Sequence, residues 1–168
     1  MARIRLERFS YRFAEQLLNS KLAIKQEVER ILTSDTLEIA TLSRPTFNKV
    51  LRESFVRSGW TDQPHVFSEA DEPGAKMDFL KERVGIEVGF GHASFIGIDL
   101  LKFQVSSYSA PDQIDVGIYV VTTRRFQKHL ATHSQNWEGS LTFEKVVRYL
   151  PQFKSAIQVP IYVLGIDV

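Results

Sequence analysis

The chain has 168 residues, 43% of them hydrophobic and 24% charged, with a formal net charge of +1. That balance predicts one domain over residues 1–168 with a real hydrophobic core, and it lacks the bulk charge that announces a nucleic-acid binder. With no cysteine, disulfides and thiolate metal sites are excluded; no apolar run approaches a membrane span or a signal-peptide core, so the expected setting is cytoplasmic with no membrane partner.

Residues 3–9 alternate briefly and read as a short strand or the lead-in to a helix. Ser10 is a candidate cap for a helix to about Asn19, with Phe13, Leu17 and Leu18 inward. A second helix over 24–32 carries Ile24, Val28, Ile31 and Leu32 on one stripe and charges on the other face. Residues 34–43 fit either a short strand or a poorly formed helix. Ser43 to Pro45 reads as a helix start, with proline in the first turn where its missing N–H costs nothing. That helix runs to about Ser58 on the stripe Phe47, Val50, Leu51 and Phe55, ends at Gly59, and returns Trp60 to the core.

Residues 61–75 hold four acids and no lysine or arginine, together with Pro64, Pro73 and Gly74, and read as a surface loop. The stretch KMDFLKERVGIEVGF at 76–90 then alternates as two short buried strands, with Val84, Ile86, Val88 and Phe90 on one face and Glu87 and Gly89 on the other. Asp78 and Glu87 sit nine residues apart across a turn. Converging carboxylates need a basic partner or a cation, so two readings stand open: a divalent-metal site handling phosphate, or a turn-capping Asp78 with Glu87 paired to Lys81 or Arg83.

After Phe90, a helix over about 94–106 fits the spacing of Phe95, Ile98, Leu101 or Lys102, and Val105. The strand at 114–121 completes a β-α-β unit. Residues 124–140 look polar, basic and loop-like, 141–149 reads as a helix closed by Pro151, and IYVLGI at 161–166 is a last buried strand.

The ordered blocks DFLKERVGIEVGFG, a helix containing DLLKFQ, and IDVGIYVVTTR, spanning 76–123, resemble type II restriction endonucleases of the BglII, BstYI and BamHI group, within the PD-(D/E)XK nuclease superfamily. The resemblance implies an α/β, restriction-endonuclease-like fold: a central mixed β-sheet flanked by helices, with N-terminal helices in 10–58 and a catalytic core over 76–168. It also implies a Mg2+-dependent, sequence-specific double-stranded DNA endonuclease, Mn2+ substituting, that leaves 5'-phosphate and 3'-hydroxyl ends. A homodimer on palindromic DNA and a cognate DNA methyltransferase follow from the same likeness, with helix 45–58 or the N-terminal helices as the expected dimer surface.

Carried over by position, Asp78 and Glu87 resemble the two metal-binding carboxylates, and the Val88 carbonyl the third protein ligand. Gly89 departs from the pattern, because the family places glutamine, glutamate or lysine there. A migrated Lys102 or Gln104 from the following helix, or Lys81 or Arg83 from the hairpin, is a candidate replacement. The alternative is a catalytically weakened or inactive DNA-binding relative. For DNA contact the resemblance points to His92 and Ser94 after the catalytic strand, and to Arg124, Arg125, Lys128, His133 and Asn136 after the IDVGI strand.

Overall fold

The computed structural model describes residues 3–67, 76–108 and 113–168. Six strands form one mixed sheet: β1 (Arg5–Tyr11), β2 (Thr61–Asp62), β3 (Phe79–Lys81), β4 (Val84–Val88), β5 (Val116–Thr122) and β6 (Ile161–Asp167), in the spatial order β1-β6-β5-β4-β3-β2. The β4, β5 and β6 pairings are parallel, while β1 with β6 and the β2-β3-β4 edge run antiparallel. β5 and β6 are buried along their whole length, which is why their sequences are continuous apolar runs rather than alternations.

Of residues 3–9, those from Arg5 onward thus belong to a strand. Arg12 and Phe13, both at positive φ, turn the chain out of β1 into α1 (Ala14–Asn19), shorter than the sequence predicts because Ser10 remains in the sheet. α2 (Leu22–Leu32) buries Ile24, Val28 and Leu32 as expected. Residues 34–43 are neither strand nor α-helix; they contain one 3-10 turn, Ile39–Thr41. α3 (Arg44–Arg57) begins where Ser43 Oγ accepts the Thr46 N–H at 3.2 Å, and it buries Phe47, Leu51 and Phe55. Gly59, at φ 88°, ends it, and Trp60 packs edge-on against Phe55.

Two expected loops need correction. Thr61 and Asp62 pair with β3, so the sheet begins inside the acidic stretch; the remainder of that expectation, 68–75, lies outside the described residues. Residues 124–140 open with α5 (Arg124–Ala131): Thr123 Oγ1 accepts the Phe126 N–H at 3.0 Å, and Phe126 and Leu130, one turn apart, are fully buried. The short apolar stripe is masked in sequence by the charges around it. α6 (Phe143–Tyr149) is capped by Thr142 and continues through a 3-10 turn containing Pro151.

Helices cover both sheet faces. α1, α2, α3 and α5 pack on the face carrying Ile86, Ile118, Val120 and Leu164. α4 (Ile96–Tyr108) and α6 pack on the face carrying Tyr119, Val121 and Val163. α4 has its stripes reversed from the sequence expectation: Asp99, Leu100, Lys102, Phe103 and Ser106 are buried, while Phe95, Ile98 and Leu101 are exposed. No helix among the described residues is long and apolar enough to cross a membrane.

Candidate active site

The site is built by a hairpin. Glu82 and Arg83 both take left-handed conformations, φ 47° and 64°, which suits a tight two-residue turn whose twist matches the flanking strands. The turn pairs Phe79 with Ile86, and continuing that antiparallel register by one step sets Asp78 level with Glu87. The Val88 N–H donates to Asp78 Oδ2 at 2.7 Å, fixing the half-buried Asp78 carboxylate at the end of β4.

On β4, Glu87 faces α4, and its register partner on β5 is Tyr119. Glu87 is buried; Oε1 accepts from the Lys102 ammonium, and Oε2 is buried without a hydrogen-bond partner. Lys102 also donates to the Lys76 carbonyl at 3.3 Å and lies 3.5 Å from Asp99 Oδ1, one helical turn before it on α4. The other Asp99 oxygen accepts the Tyr119 hydroxyl at 2.6 Å. Asp99 and Tyr119 escape a reading of sequence for this chemistry. The available signal is an aspartate and a lysine three apart, the only charges in this helix, which share one side of it.

Burial dominates the electrostatics. It pushes the Asp78 pKa up to about 6, against the pull of the Val88 N–H and Lys102. Burial, and then the Asp78 charge, raises Glu87 well above the ordinary carboxylate range, and burial likewise raises Asp99. For Lys102 burial works against the charge, yet Glu87, Asp99 and Asp78 outweigh it and raise its pKa. Three ionised carboxylates and one ammonium leave two negative charges, so the cluster attracts protons or a divalent cation.

Lys81 and Arg83 do not neutralise this pair. Lys81 donates to Glu27 Oε2 at 2.9 Å and the Ser58 carbonyl at 2.7 Å, and Arg83 pairs with Asp115 at 2.9 Å. Gln104 is also engaged elsewhere: its Oε1 accepts the N–H groups of Gln158 at 2.6 Å and Val159 at 3.0 Å. Lys81 and Gln104 are thus held by these other partners, and among the candidate replacements Lys102 is the one in contact with Glu87. Gly89 leaves no vacancy behind it. A Cβ there would lie 2.7 Å from Tyr119 Cε2, so a ring on the neighbouring strand, rather than a helix or backbone, takes the space.

A chain of 161 residues within this fold, 6–166, matches the family model for restriction endonuclease BglII/BglIII. The protein belongs to this family. BglII complexed with a DNA 16-mer superposes with TM-score 0.75 at 19% identity, covering 96% of this chain and 75% of that one. Free BglII gives 0.67 at 18% identity, covering 96% and 78%. At such identities the likeness carries the BglII fold. No curated protein matches the chain.

Against this BglII-type frame, the expected DNA-contact residues fall in three places. Arg124, Lys128 and Asn136 line one groove of about 560 Å³ with Trp137 at its wall. His92 and Ser94 form a pair, Nδ1 to Oγ 2.8 Å, and His92 borders a cleft with Val88, Gly89 and Asp99. Arg125 is ion-paired to Asp167, and His133 stacks edge-on against His129. Asn48 and Lys49 of α3, which sequence reading passes over, line a cleft with Asp78 and Val88.

Proposed function

We propose that this BglII-family protein binds palindromic duplex DNA as a homodimer and that its hydrolytic centre is weakened relative to the family pattern, with Lys102 in place of the side chain absent at Gly89. The observation that carries this is the contact between Lys102 and Glu87: the ammonium already partly neutralises the carboxylate that a metal would use. Among the described residues no three acidic or histidine side chains are placed to hold one metal ion together.

Two carboxylates nevertheless suit Mg2+, which keeps several waters and uses one or two acidic ligands. The orphaned Glu87 Oε2 and the residual charge of the cluster fit such an ion. Asp78 and Glu87 would hold it, with the Val88 carbonyl as a third donor. When bound, Mg2+ or Mn2+ supplies positive charge to the phosphoryl oxygens and acidifies the attacking water. Lys102 adds a fixed positive charge beside Glu87 for the developing negative charge. Asp78 is kept in place by the Val88 N–H, and the apolar strand faces exclude bulk water. Arg124, Lys128 and Asn136 provide the groove for phosphates and base edges, and His92, Ser94, Arg125 and His133 are further candidate DNA contacts outside it.

The approach of Lys102 to both Glu87 and Asp99 favours a second reading, a fully active site-specific endonuclease of a restriction-modification pair with a cognate methyltransferase. Supercoiled plasmid and a randomised duplex library, incubated with Mg2+ or Mn2+ and sequenced at their ends, separate the two. Salt-dependent duplex binding with slow cleavage is the expected result, binding with no cleavage removes the hydrolytic role of Lys102, and rapid cutting at discrete sites establishes the second reading. Absence of duplex binding at low salt overturns both.

A further inference from the structure

We propose that Asp99 and Tyr119 are positioning residues: the Tyr119 hydroxyl restrains Asp99 so that Lys102 sits on Glu87, and Gly89 provides the room this tyrosine requires. The inference rests on reading Lys102 as the group that replaces a side chain at position 89.

Lys102 stands between two carboxylates with different claims on it. Its ammonium is in close contact with Glu87 but 3.5 Å from Asp99, although Asp99 shares its helix and needs no tertiary fold to reach it. The difference has a cause at the far oxygen of Asp99. Tyr119 donates there at 2.6 Å, so Asp99 already has a strong donor and exerts a weaker pull on the lysine. The Lys76 carbonyl at 3.3 Å accepts from the ammonium as well. Tyr119 cannot drift from its post: it is fully buried, lies edge-on to Phe103 at 5.8 Å, and has the Gly89 backbone where another residue's Cβ would stand. A glycine on β4, a tyrosine on β5 and an aspartate on α4 therefore form one arrangement whose product is the location of a single ammonium.

The test uses the full chain labelled with 15N-lysine, free of metal, with the Lys102 ammonium resonance assigned through Lys102→Met. Tyr119→Phe removes one hydroxyl and keeps the ring; Asp99→Asn keeps the shape and removes the charge. The ammonium signal is expected to be slowly exchanging in the parent protein, to shift in Tyr119→Phe, and to exchange faster in Asp99→Asn, while backbone spectra stay folded. An unchanged signal in both variants overturns the proposal, and Tyr119→Phe alone decides if Asp99→Asn does not fold.

In parallel, Tyr119→Phe with Mg2+ is expected to cut plasmid about tenfold more slowly in single turnover, as loss of one buried hydrogen bond implies. Its duplex affinity in Ca2+ stays unchanged. Equal cleavage rates also overturn the proposal. If the parent protein cuts no plasmid, the hydrolytic reading of Lys102 falls, while the ammonium spectrum still decides whether Asp99 and Tyr119 place it.

Discussion

Asp78 and Glu87 hold protons more tightly than free carboxylates because burial penalises their charge. For Asp78 the folded-state value of about 6 stands above its ordinary value of 3.8. Its contribution to stability is therefore full below about pH 4 and is lost as pH rises through about 6. Asp78→Asn, which keeps an oxygen for the Val88 N–H, is expected to stabilise the metal-free protein at pH 7 by about 1–2 kcal/mol, allowing for partial solvent screening. The advantage should shrink toward pH 4 in urea titrations, and an advantage independent of pH would show that the charge is not the cause. Gly89 poses a steric question. Gly89→Ala places a Cβ 2.7 Å from the Tyr119 ring and is expected to cost about 1–3 kcal/mol by overpacking. In a double-mutant cycle with Tyr119→Ala, that cost should disappear; a persistent cost would locate the strain elsewhere.

Among the elements, α4 departs furthest from its sequence pattern. Its period fits an apolar stripe of Phe95, Ile98, Leu101 and Val105, yet the fold turns Asp99 and Lys102 inward and leaves Phe95 55%, Leu101 47% and Tyr108 62% exposed. The sheet-facing side carries Leu100 and Phe103 and also Asp99 and Lys102, which meet Glu87 and Tyr119, so other apolar residues are left outward. Ile98, Leu101 and Tyr108 are exposed and uncharged, while Val105 between them packs partly against the core. Under the proposed homodimer, α4 offers an uncovered apolar side, whereas Phe47, Leu51 and Phe55 of α3 are consumed by the core. If the proposed dimer pairs through α4, Leu101→Glu is expected to give a monomer in sedimentation equilibrium while leaving the fold intact, and a dimer that persists would exclude this helix. α5 depends on its cap: Thr123→Ala should cost about 1 kcal/mol in denaturant unfolding, since the Phe126 N–H loses its acceptor.

At the scale of the whole molecule, opposite sheet faces divide the work. One carries a continuous aromatic core against α1, α2, α3 and α5; the other holds Glu87, Asp99, Lys102 and Tyr119 beneath α4. A divalent cation binding this net-negative cluster should raise the melting temperature, more as its concentration exceeds the dissociation constant. Ca2+ or Mg2+ is expected to raise it in the parent protein and to do so much less in Glu87→Gln, as read by thermal scans. Equal shifts in both would place the ion elsewhere. The sequence by itself determined the hairpin with its two acids, the β-α-β unit and the family, because period-two alternation, turn chemistry and ordered blocks are local properties of the chain. It left Lys102 or Gln104 of the next helix, and Lys81 or Arg83 of the hairpin, all open as replacements for the missing side chain at position 89. Only tertiary structure decided among their placements and added Asp99 and Tyr119, because which side of α4 meets β4 and which ring fills the space over Gly89 depend on packing between segments distant along the chain.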